Sequence, residues 1–280
     1  MSEGDDAGAE LPAYALGRES LGSLPRVDWG PAEVTREWAF GGSTGRGVSV
    51  AVVDSGIDPD HPAVGGRVSR AVRPERDAAD EIVVVDDDAG DPGGHGTACA
   101  GIIRSLAPDC DLVSVRVLGP EVAGTGADLL AGLAWAIDNG CRVINLSLST
   151  TRRRFLEELY ELADRAYFRG ALIVAAAHNM PVESWPWRMA AVVSVAGHPG
   201  ADPWEVHYNT GSPPVELFAR GVDVDVAWTE GSTITASGNS FAAPHVAGLC
   251  ALILAKRPQL APFAVKHVLA LTAANAAAPR

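Results

Sequence analysis

Three residues whose side chains can support nucleophilic catalysis stand in separate glycine-containing segments of the chain. Asp54 ends an apolar run, His95 stands between two glycines, and Ser240 opens an apolar segment that predicts a helix to about Lys256. A serine hydroxyl is a weak nucleophile at neutral pH, so it needs a histidine base, and the histidine needs a carboxylate that fixes its tautomer. Each residue alone is explained by a turn or a helix cap, but together they indicate a serine nucleophile with its base.

Five short apolar, β-branched runs predict strands that are buried on both faces. They are residues 48–53, 112–118, 143–148, 172–177 and 192–196. Apolar residues at helical spacing lie between several of them, and strands that alternate with helices predict an α/β fold with a parallel sheet and right-handed crossovers. Ligand sites in such sheets collect at the carboxyl ends of the strands, where Asp54 stands.

Glycines and turn residues indicate where the helices end. Helical patterns begin at Asp128 and at Phe155, and Gly140 and Gly170 stand where these two helices should end. Other helical patterns begin at residue 31 and cover residues 263–272. The stretch 202–227 shows alternation and turns, which predicts extra strands or loops on the same domain.

The segments around Asp54, His95 and Ser240 resemble, in this order along the chain, the motifs of subtilisin-like serine proteases. The α/β-hydrolases run Ser, Asp, His and carry a GxSxG elbow, which residues 238–242 do not match. The resemblance implies a subtilisin-like three-layer α/β/α fold with a mainly parallel central sheet. It also implies a serine endopeptidase that works through an acyl-enzyme, with a peptidase domain at 25–280 after a flexible acidic segment at 1–24.

The same resemblance assigns the oxyanion and substrate-binding residues. Asn179 is implied as the side-chain donor to the oxyanion, beside the backbone N–H of Ser240. Residues 144–149 resemble the strand that pairs with the substrate backbone, and residues 124–126 the opposing one, so we expect an extended peptide to bind between them. The implied substrate-binding residues are Gly124, Thr125, Gly126, Ser147, Leu148, Ser149, Ala177 and His178.

Several residues depart from the family's usual pattern. Ser149 and His178 replace glycines on the walls of the pocket for the residue before the cut, which predicts a narrower pocket and restricted specificity. Asn239 replaces the usual threonine before the nucleophile, with a possible effect on support of the oxyanion, and Phe241 replaces the usual methionine after it. Cys99 resembles a thiol of a mercurial-sensitive branch, although we expect it to be a small buried side chain.

Composition excludes some classes of function. The net charge of −13 disfavours nucleic-acid binding. The four scattered cysteines form no CxxC pair or metal-ligand spacing and are expected to be buried, free of disulfides. No cofactor is required and no metal site is predicted, since residues 102–111 look too short for the family's calcium loop. The acids Asp86 to Asp88 and Asp91 allow three interpretations: a solvated loop, a cation site, or a neighbour of the substrate that favours basic residues.

The N-terminus carries no secretory signal and no apolar run is long enough to cross a bilayer. These features predict a cytoplasmic protein whose partners are peptides, with neither nucleic acid nor membrane. A protease that removes leader peptides from a small biosynthetic precursor fits the expected location and narrow pocket, and general protein turnover is the other enzymatic option. The alternative of another class is a non-catalytic peptide-binding or scaffolding module, and the oligomeric state stays open.

Overall fold

The computed structural model describes residue 23 and residues 33–276. The predicted flexible segment at 1–24 lies almost entirely outside the described residues, and its boundary stays a prediction. Residues 34–280 belong to one unit. The helical pattern that begins at residue 31 appears as a short helix, α1 (Arg36–Phe40), capped by the Thr35 hydroxyl, which accepts a hydrogen bond from the N–H of Trp38.

Nine strands form the central sheet, in the spatial order β3-β2-β4-β1-β5-β6-β7-β9-β8. All neighbours in it are parallel except the two edge pairs, β2 with β3 and β8 with β9. Two further strands, β10 and β11, pair as a separate antiparallel hairpin. The strands are β1 (Ser49–Asp54), β2 (Val68–Arg76), β3 (Ile82–Asp86), β4 (Asp111–Arg116), β5 (Val143–Leu146), β6 (Leu172–Ala176), β7 (Val193–His198), β8 (Val206–Tyr208), β9 (Leu217–Arg220), β10 (Val224–Ala227) and β11 (Thr233–Ala236).

Five longer helices cover the sheet. They are α2 (His95–Leu106), α3 (Gly126–Asp138), α4 (Leu156–Phe168), α5 (Asn239–Lys256) and α6 (Pro262–Leu271). Short 3₁₀ turns occupy Arg153–Phe155 and Thr229–Gly231. The helices predicted from Asp128 and Phe155 end as expected, each followed by a glycine of positive φ, Gly140 at 76° and Gly170 at 75°.

Consecutive apolar residues of the central strands face two different cores, which gives the predicted three-layer architecture. In β1, Val50 and Val52 pack with α2 and α5, whereas Ala51 and Val53 pack with α3 and α4. Both faces are therefore buried, and the strand reads as a continuous apolar run instead of an alternating one.

The sequence did not predict β2 and β3, which lie at one edge of the sheet, and it placed the ends of some other strands too far along the chain. β2 mixes apolar residues with exposed or half-buried polar ones and carries no continuous apolar run, whereas β3 has four half-buried apolar residues at 82–85. The predicted strand 143–148 ends at Leu146, because β6 pairs with it only that far. The stretch 202–227 does add strands, β8, β9 and β10. Within the described residues, no helix is long and apolar enough to span a membrane.

Candidate active site

Two glycines let the first turn of α2 lie directly on the end of β1. Gly94 precedes the helix with a φ of 77°, in the left-handed region that favours glycine. A Cβ on Gly96 would lie 2.0 Å from the carbonyl oxygen of Gly56, a distance that no side chain could accept. Only glycine allows this approach, which brings His95 of α2 beside Asp54 at the end of β1.

Asp54 and His95 form the first half of the site. The Nδ1 of His95 donates to Asp54 Oδ1 at 2.8 Å, and the N–H of Ser55 donates to the same oxygen at 2.8 Å. Asp54 is fully buried, whereas 13% of the His95 side chain is exposed. With Nδ1 fixed as a donor, Nε2 is the ring nitrogen left for a reactant in the cleft that His95 lines.

The charge of Asp54 sets the protonation of His95. Burial alone would lower the pKa of His95, but the charge of Asp54, its hydrogen bond and the charge of Asp91 together raise that pKa above its usual value of 6.5. A histidine of raised pKa is a stronger base, and it takes a proton readily once the pH is high enough to leave it neutral.

Asp91 holds the loop before His95, a role that the sequence did not reveal. Its Oδ1 accepts hydrogen bonds from the Ser55 hydroxyl and from the N–H groups of Gly93 and Gly94, at 2.8 to 3.0 Å. Its Oδ2 accepts from the N–H and the hydroxyl of Thr97, at 2.7 and 2.6 Å. Both carboxylate oxygens of Asp91 are therefore engaged inside the protein.

Ser240 lies in the first turn of α5, and Pro244 determines how its carbonyl is bonded. Proline lacks an N–H, so the Ser240 carbonyl four residues earlier has no helical donor. The hydroxyl of Ser147 donates to it instead at 2.8 Å, and Asn145 Nδ2 donates to that hydroxyl at 3.1 Å. The end of β5 is thereby fastened to the start of α5.

Asn239 stands directly before Ser240 and ties three segments together. Its N–H donates to Asn179 Oδ1 at 2.9 Å, and its own Oδ1 accepts from the N–H of Gly197 at 2.8 Å. Its Nδ2 donates to the His178 carbonyl at 3.4 Å. This departure from the usual threonine supports the segment that carries Asn179.

Two hydrogen-bond donors stand beside the Ser240 hydroxyl. Because Asn179 Oδ1 is occupied as an acceptor, its Nδ2 remains free to donate. A Cβ on Gly238 would lie 3.5 Å from this Nδ2 and 3.1 Å from Ser240 Oγ, so both atoms border the same small space. The N–H of Ser240 has no acceptor in the part of the chain that the structure describes. The pair can bind an anionic oxygen that forms there.

A cleft of about 640 Å³ contains these groups. His95, Asn179 and Ser240 line it, and Asp54 lies buried behind His95. Every predicted substrate-binding residue also lines it, namely Gly124, Thr125, Gly126, Ser147, Leu148, Ser149, Ala177 and His178. The structure therefore brings the predicted site residues together in one place.

Several hydroxyls of these lining residues are used inside the protein. Thr125 Oγ1 accepts from the N–H of Asp128 at the start of α3, and Ser149 Oγ lies 3.2 Å from Ser184 Oγ. Leu148 and Ser149 follow the end of β5, and no backbone hydrogen bond within residues 33–276 uses either of them. The backbone N–H and carbonyl groups of Leu148 and Ser149 are therefore available to a ligand.

The side chains of His95 and Ser240 line the same cleft but are not hydrogen-bonded to each other. Among residues 33–276 none of the hydrogen bonds joins their side chains, although the ring of His95 packs 5.5 Å from that of Phe241, the next residue. Such contacts are often long before a substrate is bound.

The donor atoms of Asp54, His95 and Cys99 lie within 4.8 Å of one another, the only such group of possible metal ligands within the described residues. The Cys99 thiol is fully buried, and burial followed by the charge of Asp54 raises its pKa well above the usual range. It lies 3.4 Å from Ser147 Oγ and 3.7 Å from the Ser240 carbonyl. A metal here would have to displace the hydrogen bond between Asp54 and His95, so Cys99 fits the expected buried packing role. The absence of a required metal stays a prediction.

Of the acids at 86–88, Asp87 has a role inside the fold. Asp87, whose side chain is 2% exposed, receives two hydrogen bonds of 2.7 Å from Arg116. Burial would raise the pKa of Asp87, but Arg116 outweighs it and lowers that pKa. His245 is also internal: burial lowers its pKa to about 4, and its Nδ1 donates to the Phe241 carbonyl at 2.8 Å.

Comparison with known proteins assigns the family. A model described as "Subtilase family" matches residues 45–280. The chain belongs to the subtilase family. It is 33% identical over 83% of its length to a thermostable alkaline protease of Halalkalibacterium halodurans, and 31% identical over 89% to subtilisin BL of Lederbergia lenta.

Solved structures of subtilases agree with the fold. A cold-adapted subtilisin-like serine proteinase superposes with a TM-score of 0.65 at 29% identity, covering 82% of this chain and 83% of that one. This subtilase covers 92% of subtilisin BL, but only 64% of the H. halodurans protease and 65% of an alkaline protease of Alkalihalobacillus alcalophilus. It thus spans just under two thirds of the longer relatives.

Replacing Asp54 by asparagine should lower the pKa of His95 by about one unit or more, since an adjacent opposite charge shifts a pKa by roughly 1–3 units. His95 would then lose its proton at a lower pH than in the wild type. A pH titration followed by NMR of the imidazole signals measures this, with the exposed Asp60→Asn as control. An unchanged midpoint in Asp54→Asn would contradict the assignment of the raised pKa to Asp54.

A double-mutant cycle tests the support that Asn239 gives to Asn179. Asn179→Ala should slow the reaction of Ser240 with a fluorophosphonate by about 10²–10³. Asn239→Ala keeps the backbone N–H that donates to Asn179 Oδ1 but removes the side-chain hydrogen bonds to Gly197 and to the His178 carbonyl. It should slow the labelling by about tenfold, since the net effect of lost hydrogen bonds is on the order of 1 kcal/mol. In the double variant the second change should add little, because Asn239 acts through Asn179. Fully multiplicative effects would mean that the two residues act separately.

Proposed function

We propose that this subtilase is a serine endopeptidase that hydrolyses peptide bonds through an acyl-enzyme. The observation that carries the proposal is the placement of the hydrogen-bonded pair Asp54 and His95, the Ser240 hydroxyl and the free amide of Asn179 around one cleft. A binding protein has no need of a base, a nucleophile and an oxyanion donor together.

The proposed steps follow from the atoms in the cleft. Ser240 Oγ attacks the scissile carbonyl while His95 Nε2 takes its proton, and the buried charge of Asp54 stabilises the imidazolium. Asn179 Nδ2 and the N–H of Ser240 bind the oxyanion. His95 then gives its proton to the leaving amine, and water attacks the resulting ester by the same route to release the acid.

The proposed substrate is an extended peptide between residues 124–126 and 147–149. Support comes from the unpaired backbone of Leu148 and Ser149, which can add the peptide as a further strand. Main-chain pairing accepts any sequence, so selectivity must come from the side chains that line the cleft.

The proposed specificity is restricted. Ser149 and His178 line the cleft where the family usually has glycine, and the Ser149 hydroxyl is held by Ser184. Removal of a leader peptide from a small biosynthetic precursor is the narrower form of this proposal, beside general protein turnover. The cytoplasmic location stays a prediction from the sequence, and a non-catalytic binding module is the less favoured alternative because all four proposed catalytic residues are in place.

Labelling with a fluorophosphonate tests the proposed activity, because the reagent needs an activated serine. We expect mass spectrometry to place the label on Ser240, and Ser240→Ala to abolish it. The buried Ser114→Ala serves as a control that keeps the nucleophile. A folded wild-type protein that takes no label would favour the binding module.

Opening the pocket tests the restricted specificity. We expect Ser149→Gly with His178→Gly to raise kcat/KM for peptides with large side chains before the cut by about tenfold, since one or two additional methylenes in a pocket are worth roughly 1–3 kcal/mol. Cleavage profiling of a peptide library measures the change. An unchanged profile would rule out these residues as the source of selectivity.

A further inference from the structure

Three consecutive arginines follow the proposed substrate-binding segment 147–149, and they do not share one environment. Arg153 forms an ion pair with Glu183 and lies with its guanidinium 5.7 Å from the centre of the Trp185 ring. Arg152 and Arg154 instead line the cleft that contains Ser240. Alternate members of the run thus face the cleft, and the middle one is neutralised outside it.

The two cleft arginines stand where the flanking segments approach each other. The guanidinium of Arg154 lies 4.6 Å from the centre of the Phe155 ring. That ring packs against Gly126, where a Cβ would lie 2.0 Å from it. The N–H of Arg152 donates to the hydroxyl of Thr150, which directly follows the other flanking segment, 147–149. Since both arginines line the cleft between these segments, a peptide bound there would come close to both side chains.

Neither arginine has a carboxylate partner. Among residues 33–276, no ion pair involves Arg152 or Arg154, although Glu157 and Glu158 follow within the next turn. No aspartate or glutamate lines the cleft. The whole chain carries a net charge of −13, so this unpaired positive charge stands out against its surroundings.

The shape of the cleft makes these charges effective. Arg152 and Arg154 are exposed at its wall, and a concave wall that carries charge of one sign concentrates the electric field in the cleft. Arginine presents a planar fork that binds a carboxylate through two parallel hydrogen bonds. An isolated surface arginine contributes little, but two of them in a concave wall attract the same anionic group.

We propose that Arg152 and Arg154 select peptides that carry an aspartate or glutamate side chain close to the cleaved bond, in the part of the peptide held between residues 124–126 and 147–149. This specificity rests on the proposed peptidase function and identifies its substrate class. Of the acids proposed to favour basic peptides, Asp87 is engaged with Arg116 and Asp91 with Thr97, and neither these two nor Asp86 and Asp88 are among the described residues that line the cleft.

Matched pairs of peptides test the proposal. The two peptides of a pair differ at one position near the cut, where one carries glutamate and the other lysine. We expect the wild type to cleave the glutamate peptide with a kcat/KM about tenfold higher, as two exposed ion pairs would give, and this ratio to shrink in high salt. Arg152→Gln and Arg154→Gln should each reduce the ratio about threefold, and the double variant Arg152→Glu with Arg154→Glu should reverse it. Arg153→Gln is the matched control and should keep the wild-type ratio.

The outcomes separate the two proposals. If the wild type labels at Ser240 but cleaves both peptides equally, or prefers lysine, the acidic specificity is wrong and the peptidase function stands. If no labelling occurs, the peptidase function fails, and the recognition of acidic peptides is then tested by the binding of the same two peptides, each carrying a fluorophore, to Ser240→Ala. Tighter binding of the glutamate peptide, lost in the double arginine variant, supports recognition by Arg152 and Arg154. Equal binding of the two peptides overturns it.

Discussion

The contact between the first turn of α2 and the end of β1 is the constraint on which the site depends. Gly96 permits it, because any larger residue would collide with the Gly56 carbonyl. Asp91 then fixes it by accepting hydrogen bonds from both sides of the contact, from Ser55 and from Thr97. The 2.8 Å hydrogen bond between Asp54 and His95 is a consequence of this backbone approach, and so is most of the increase in the pKa of His95, since the interaction of two charges strengthens as the distance between them falls.

The second half of the site is built separately. Pro244 removes a helical hydrogen bond, and the carbonyl it frees on Ser240 receives the Ser147 hydroxyl from the end of β5. Asn239 connects the same helix to β7 and to the segment of Asn179. Each half is therefore held by its own hydrogen bonds, whereas within residues 33–276 no hydrogen bond joins the side chains of His95 and Ser240. Catalytic groups that are fixed in advance need little reorganisation during a reaction.

The sequence predicts best those features that depend only on residues close together along the chain. The five central strands, the helices from Asp128 and Phe155, and the motifs of Asp54, His95 and Ser240 depend on runs or spacings within a few residues, and all appear in the structure. β2 carries no continuous apolar run, and β3, at the edge, has only the four apolar residues 82–85; both strands were missed. The roles of Asp91 and Ser147 could not be predicted, because each satisfies backbone groups that only the tertiary fold brings near. Likewise, nothing in the arginine run distinguishes Arg153 from its neighbours until Glu183 is placed beside it.

The charge of the whole protein and the charge of the cleft act over different distances. A net charge of −13 repels an acidic polypeptide as it approaches, whereas Arg152 and Arg154 attract a carboxylate only when it is already in the cleft. At physiological ionic strength the long-range repulsion is screened beyond about 8 Å, whereas a direct contact within the cleft is shorter than this distance and is screened less. The two effects together disfavour uniformly acidic chains, which are repelled before they bind. They favour a peptide that presents one acidic side chain in a neutral or basic context, which is a narrower requirement than either effect would impose alone.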